Sequence, residues 1–234
     1  MPKLMLSNEK TLVLSVGGSL IVPNGGPDAK FIGELKKFVL REVKKGRRLA
    51  IVVGGGKTAR HYIDAANQVG KIDKEDLDWL GIHSTRLNAH LIRTVLRDIA
   101  HPVVVKDSMK APKVWKGKVL IGAGEKPGQS TDHAASRLAH RLGVRQVLNF
   151  SNIDHVYDKD PNKFKNAEPL EQLTWSEYRK MVGNKWTPGM SAPFDPIASK
   201  YCQKHKIEVA IAAWEKKNVS NVLAGKEFVG TMIF

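Results

Sequence analysis

Three stretches place glycines and small hydroxyl residues directly after short β-branched runs, a combination suited to holding an anion. They are Leu14-Ser15-Val16-Gly17-Gly18-Ser19-Leu20, then Gly54-Gly55-Gly56-Lys57-Thr58-Ala59-Arg60 after Ile51-Val52-Val53, and Gly122-Ala123-Gly124-Glu125-Lys126-Pro127-Gly128-Gln129-Ser130-Thr131-Asp132. Without side chains, such turns let backbone N–H groups approach an anion closely, and a following helix adds its positive dipole end. The first two loops suggest two phosphates. Taken singly, each also fits an ordinary tight turn, and Ser130, Thr131 and Asp132 are equally good helix N-caps. Neither GxxxxGK[ST] nor GxGxxG is present, which disfavours P-loop and dinucleotide-binding readings. Arg60, four residues after Gly56, could clamp a phosphate held by the loop or simply face solvent. A carboxylate such as Asp132 beside phosphates requires a cation, either a metal or a basic side chain.

A fourth polar loop, Phe150-Ser151-Asn152-Ile153-Asp154-His155-Val156-Tyr157-Asp158-Lys159-Asp160-Pro161, offers an aromatic ring and polar groups that could hold a base and a ribose. Generic turn chemistry accounts for Asp160-Pro161 equally well. Of the 8 histidines, His133 and His140 lie seven apart in one helical stretch without a third ligand of obvious spacing, which favours plain helix-face residues over a metal site. Trp175, Trp186 and Trp214 are scattered, as packing residues between lobes or subunits would be, and Tyr157 is the aromatic assigned to a base. The segment Met190-Ser191-Ala192-Pro193-Phe194 could border the site or form a structural turn.

The elements that must position these loops follow from periodicity. Residues 11–16, 48–53, 102–105, 118–121, 146–150 and 207–212 read as strands, most of them buried on both faces. Helical patterns occupy 28–45, 58–68, 81–98, 132–142 and 195–205. Strand and helix alternate, which predicts an α/β fold, a three-layer αβα sandwich with a mainly parallel central sheet. In such folds ligands gather beyond the carboxyl ends of the strands, where all four loops fall. Residues 24–27, 106–118 and 180–193 are turn-rich and read as candidate mobile loops, and a weak seam near residue 120 divides the chain.

Composition sets the outer bounds. The 234 residues suffice for one sizeable core, and 42% apolar with 26% charged residues is ordinary for a globular protein. Lys plus Arg is 38 against 23 acidic residues, a formal charge of +15 that favours anionic partners without choosing among them. The cations are dispersed, and no basic helix, zinc-finger spacing or RNA-recognition motif appears, so specific nucleic-acid binding is not expected. The single Cys202 excludes an intramolecular disulfide framework, and no signal-like or spanning apolar run occurs, which predicts a cytoplasmic protein not bound to membrane.

Taken together, the loops resemble the amino acid kinase superfamily, and within it the archaeal-type uridylate kinases. The resemblance runs from about residue 12 to 233 and includes Thr85-Arg86-Leu87-Asn88-Ala89, Asp195-Pro196-Ile197-Ala198-Ser199-Lys200 and Gly230-Thr231 besides the glycine loops and the Asn152-Ile153-Asp154 segment. It implies one domain over 1–234 with an N-terminal acceptor lobe and a C-terminal ATP lobe. It further implies phosphoryl transfer from ATP to UMP with Mg2+, in a homohexamer. Carried over by position, Gly55, Asp78, Lys126, Pro127, Gly128, Gln129, Ser130 and Thr131 would bind UMP, Asp78 through the ribose hydroxyls. Gly17, Gly18, Ser19, Gly56 and Arg60 would hold the transferring phosphates, and Ser151, Asn152, Tyr157 and Asp160 the rest of ATP. Arg60, Asp132 and Asp195 would be the catalytic group, the carboxylates organising cations, with no metal site assigned to the protein alone.

Four departures bear on this expectation. Ser15 stands where many superfamily kinases place a lysine, and Pro193 near where some place a second; archaeal-type uridylate kinases share both absences. Charge neutralisation is then left to magnesium, Arg60 and either Lys57 or Lys126. His155 replaces a usual glycine, and Glu125 a usual threonine near the acceptor phosphate, so Glu125 either points away or signals another acceptor. Alternatives are another small-molecule kinase of the superfamily and a noncatalytic nucleotide- or oxyanion-binding protein on the same scaffold.

Overall fold

Apolar runs that alternate with amphipathic ones fold by pairing the runs side by side and covering both faces with helices. The computed structural model, which describes residues 1–3, 10–185 and 192–234, has this architecture. Trp186, Met190 and Ser191 lie outside the described residues. The strands are β1 (Thr11–Val16), β2 (Arg48–Val53), β3 (Val119–Gly122), β4 (Gln146–Ser151), β5 (Val156–Tyr157), β6 (Pro169–Leu170), β7 (Gln172–Leu173), β8 (Glu208–Ala213) and β9 (Thr231–Ile233). The helices are α1 (Gly18–Ile21), α2 (Ala29–Lys44), α3 (Gly56–Val69), α4 (Lys74–Val95), α5 (Thr131–Leu142), α6 (Trp175–Val182), α7 (Pro196–His205) and α8 (Lys216–Leu223).

Seven strands form one sheet in the order β3-β2-β1-β4-β8-β9-β7, parallel except where β9 runs antiparallel to β8. Alternation along each strand splits its residues between two cores. Leu12, Leu14 and Val16 of β1 join Leu49, Ile51 and Val53 of β2 under α2, α4 and α8, while Val13, Ala50 and Val52 face α5 and α7. Both faces are thus covered, which is why the strands read as continuous apolar runs.

The strand order explains where a ligand can sit. From β1 the chain proceeds to β2 on one side, whereas β4 lies on the other, so the order reverses at β1. The crevice beyond the carboxyl ends at such a reversal is the usual ligand position in open α/β sheets.

Residues 102–105 do not form the expected strand. His101 N–H donates to Val119 O at 2.7 Å and Val105 N–H to Ile121 O at 2.8 Å, so four residues on one side span two on the other. Pro102 has no N–H to continue the ladder, and only isolated bridges remain at Ala100 and Val105. The helix expected from residue 81 begins at Lys74 instead. Its first turn carries Glu75 and Asp76, which suit the positive helix end but supply no apolar period to read. Trp214 packs against Phe31, Phe38 and Phe150 at 5.2–5.3 Å, tying α2 to β4, and Trp175 packs against Phe194 at 5.8 Å, tying α6 to the segment that enters α7.

Candidate functional site

The loops leaving β1, β2, β3 and β4 converge above the reversal point. The Gly17 N–H donates to Phe150 O at 2.7 Å, which pins the exit of β1 to β4. Gly18 then crosses the second glycine turn so closely that a Cβ on it would stand 2.0 Å from Gly56 N and 2.6 Å from Gly55 N. No other residue fits there. Ser19 Oγ donates to Asn152 Oδ1 at 3.2 Å, so the first glycine loop and the β4 loop are neighbours.

Between these loops and α4 lies a cleft of about 280 Å³, lined by Gly18, Ser19, Gly55, Gly56, Arg60, Asp78, Gln129, Ser130, Thr131 and Asp132 among others. That size suits one small ligand rather than two. Ten of the residues singled out in the sequence therefore share one space. Lys126, Pro127 and Gly128 belong to the loop of Gln129 without lining the cleft, and Gly17, Ser151 and Asn152, at the ends of β1 and β4, do not line it either. Tyr157 and Asp160 lie farther along: the Tyr157 hydroxyl donates to Asp154, and Asp160 Oδ1 accepts from Asn162 N–H at 3.0 Å in an exposed turn.

Helix α4 holds its side of the cleft together with four residues. Asp78 Oδ2 accepts from Gly128 N–H at 2.7 Å, across a turn where Gly128 has φ +77°, and burial raises the Asp78 carboxyl above its ordinary range. Thr85 Oγ1 accepts from Gly124 N–H at 2.8 Å, and Arg86 Nη2 donates to Glu125 O at 2.9 Å. Asn88 Nδ2 donates to Gly54 O at 2.9 Å and to Gly55 O at 3.1 Å. Two loops far apart in sequence are thereby registered against one rigid helix.

Of the two carboxylates, Asp132 lines the cleft and Asp195, buried beside it, does not. Asp132, in the first turn of α5, accepts from Ser15 Oγ at 3.0 Å and Asn149 Nδ2 at 2.9 Å through Oδ1. It shows only a minor part of its surface to the cleft, and burial, with the neighbouring Asp195 carboxylate second, pushes it up to about 7. Asp195 N-caps α7 through Ile197 and Ala198 N–H, and its Oδ2 accepts from Ser130 N–H at 3.3 Å. Ser15 thus puts a hydroxyl, not a cation, beside Asp132. Among the described residues no group of three or more His, Cys, Asp or Glu is placed to hold a metal. Two carboxylates with substrate phosphates are nonetheless a normal Mg2+ environment, and the raised Asp132 is the group a cation would relieve.

Glu125 points away from the cleft. Its Oε2 pairs with Arg137 Nη1 at 2.9 Å and its Oε1 accepts from Ser108 N–H at 2.8 Å, with 8% of the residue exposed. The side chain fastens the 106–111 segment against α5 and adds no negative charge to the cleft. His133 is buried beneath the same loop and pushed down to about 4 by that burial. His140 is engaged on the helix surface: its Nδ1 lies 2.7 Å from the Tyr201 hydroxyl, and its ring lies against His205 at 4.1 Å. His155 packs at 6.1 Å from the Tyr157 ring.

Comparison with known proteins adds to this geometry. The profile of the amino acid kinase family matches residues 10–213. The uridylate kinase of Thermococcus sibiricus is 35% identical over 225 residues, covering 95% of this chain and 98% of that protein. The uridylate kinase of Pyrococcus abyssi is 37% identical over 205 residues, covering 86% and 88%. Among solved structures, the uridylate kinase of Archaeoglobus fulgidus superposes with a TM-score of 0.79 at 29% identity, covering 95% of this chain and all of that one. The UMP kinase of Bacillus anthracis, at 20% identity and a TM-score of 0.76, shares the fold.

Proposed function

The chain belongs to the amino acid kinase family, and we propose that within it the chain is a UMP kinase, transferring the γ-phosphate of ATP to UMP to give UDP for pyrimidine nucleotide synthesis. The observation that carries the reading is the content of one small cleft. A carboxylate on a helix, Asp78, shares it with the Gly55-Gly56 turn, Arg60 and the Ser130-Thr131 hydroxyls. A ribose acceptor and a set of phosphate donors in a space for one small ligand describe a mononucleotide site.

We assign the acceptor side to the N-terminal half with the 126–131 loop, and the ATP side to Gly17, Gly18 and Ser19 with Ser151, Asn152, Tyr157 and Asp160 beyond β4. The UMP phosphate is already an anion, so an oxygen of it forms the bond to the γ-phosphorus as the bond to the ADP oxygen breaks, and no strong base is needed. What the protein contributes is alignment of two anions and neutralisation of their charge. Backbone N–H groups of the glycine loops and Arg60 contribute donors, while Asp132 and Asp195 would help hold Mg2+ with the phosphates. Bound there, Mg2+ would supply the positive charge that Ser15 does not. Arg60→Ala removes the one cationic side chain that lines this cleft among the described residues.

The remaining assignments are a cytoplasmic location and a homo-oligomer, a hexamer in the family's manner. Among the described residues no helix is long and apolar enough to cross a membrane. Helix α3 buries no residue within the single chain and leaves Tyr62 61% and Val69 90% exposed, which supports a second copy covering it. The test is UDP formation from UMP and ATP with Mg2+, together with Asp78→Asn. That variant is expected to raise KM for UMP at least about tenfold, the size of one charge-assisted hydrogen bond, with KM for ATP nearly unchanged; equal loss on both sides would refute the assignment.

A further inference from the structure

The amide of Asn88, a residue 3% exposed, spends its nitrogen on two consecutive carbonyls, Gly54 O at 2.9 Å and Gly55 O at 3.1 Å. In a trans peptide the N–H points opposite to the C=O, and no cis bond occurs among the described residues. Turning these two carbonyls toward α4 therefore turns the N–H groups of Gly55 and Gly56 to the other side. Both glycines line the cleft, and among the described residues neither N–H donates to a protein acceptor. Their neighbours are occupied: Gly54 N–H donates to Val16 O and Lys57 N–H to Val22 O, each at 3.0 Å. Two adjacent free donors between two satisfied ones form an anion-holding concavity. Three consecutive glycines have no side chains to keep their peptide planes from rotating, and Gly56 sits at φ +63°. Within the turn, Gly55 O also accepts from Ala59 N–H at 3.5 Å, whereas Gly54 O is held from outside by Asn88.

We propose that Asn88 is a positioning residue for phosphoryl transfer: through the Gly54 and Gly55 carbonyls its amide aims the Gly55 and Gly56 N–H groups at phosphate oxygens. The inference rests on the kinase reading above and adds a residue that touches no substrate. Asn88→Ala removes the clamp, whereas Asn88→Asp keeps its shape and sets a carboxylate against two carbonyl oxygens. Both are expected to lower kcat about a hundredfold at pH 8, the usual cost of misaiming donors, and to raise KM for UMP, whose phosphate loses the Gly55 donor. As pH falls toward about 5.5 the introduced carboxyl gains a proton and can donate again, so the deficit of Asn88→Asp relative to wild type narrows. A folded variant that keeps kcat within about twofold overturns the proposal, as does an Asn88→Asp deficit that ignores pH.

A second measurement needs no variant. Wild-type protein labelled with 15N-glycine is titrated with inorganic tripolyphosphate, and the Gly55 and Gly56 amide resonances are expected to move well beyond those of Gly46 and Gly143. If they stay in place the proposal fails. The probe carries no nucleoside, so shifts at Gly55 and Gly56 in a protein that ignores UMP would sink the kinase reading and leave the donor pair standing.

Discussion

Replacing Asp132 with Asn should change stability by an amount the structure sets directly. The Asp132 carboxyl titrates at about 7 in the folded chain against an ordinary 3.8. Between those values the folded protein holds a proton that the unfolded chain has released, so stability falls as pH rises; at 1.36 kcal/mol per pH unit the loss is about 4 kcal/mol by pH 8. His133 acts in the opposite sense, titrating at about 4 against 6.5, so stability rises by about 3 kcal/mol across that window. In wild type the two oppose each other between pH 4 and 6.5. Asp132→Asn removes the first and leaves the second. The Asn oxygen still accepts from Ser15 and Asn149, but the interaction with the Asp195 N–H is lost, at about 1 kcal/mol. The variant should therefore be about 1 kcal/mol less stable than wild type at pH 4 and about 3 kcal/mol more stable at pH 8, with turnover abolished. Urea unfolding of ligand-free protein in EDTA, in half-unit steps of pH, measures the difference. A difference that is constant with pH, or a variant less stable at pH 8, would refute the account of a carboxylate strained for function.

Three further substitutions separate packing from chemistry. Gly18→Ala would drive a Cβ to 2.0 Å from Gly56 N, so it should lower the unfolding midpoint steeply and abolish turnover; overpacking alone costs about 1–3 kcal/mol. Gly33→Ala, inside α2 with nothing within 4 Å of the added methyl, should instead stabilise by about 0.5–1 kcal/mol in the same urea assay. Glu125→Gln removes the charge of one of the two carboxylates on Arg137, which keeps Asp107 at 3.4 Å, and should cost about 1–3 kcal/mol, while KM for UMP, measured on the folded enzyme, stays within about threefold because the side chain faces away from the cleft.

How much of this was legible in the sequence depended on whether the cause was local. β1 and β2 were readable to the residue because both faces of each are buried and the apolar run is unbroken. Residues 102–105 have the same composition, yet Pro102 and the mismatch with β3 prevent a ladder, which only the partner strand reveals. α1, α6 and α8 were missed because they are only 4 to 8 residues long, too short for a period to emerge. In the site, the glycine loops stood out because close approach demands glycine, as at Gly18. The direction of the Glu125 side chain could not be read, since it depends on Arg137 and on Ser108, a residue seventeen positions earlier. The motif Thr85-Arg86-Leu87-Asn88 was visible without a role, because Thr85, Arg86 and Asn88 act on loops distant in sequence. Ser15 was noticed as a departure, but its bond to Asp132 spans 117 positions and appears only when β1 and α5 meet.

The central claim is that the cleft beneath Asp78 accepts UMP and hands it the γ-phosphate of ATP. It is tested most directly by ADP release with ATP and Mg2+ across UMP, CMP, dUMP, AMP, acetylglutamate and isopentenyl phosphate, with the product identified by 31P NMR. The account predicts UDP from UMP, with kcat/KM exceeding that for AMP or acetylglutamate by at least about a hundredfold, the cost of leaving a site's buried polar groups unpaired. Equal turnover of several acceptors, or ADP release with none, would contradict it.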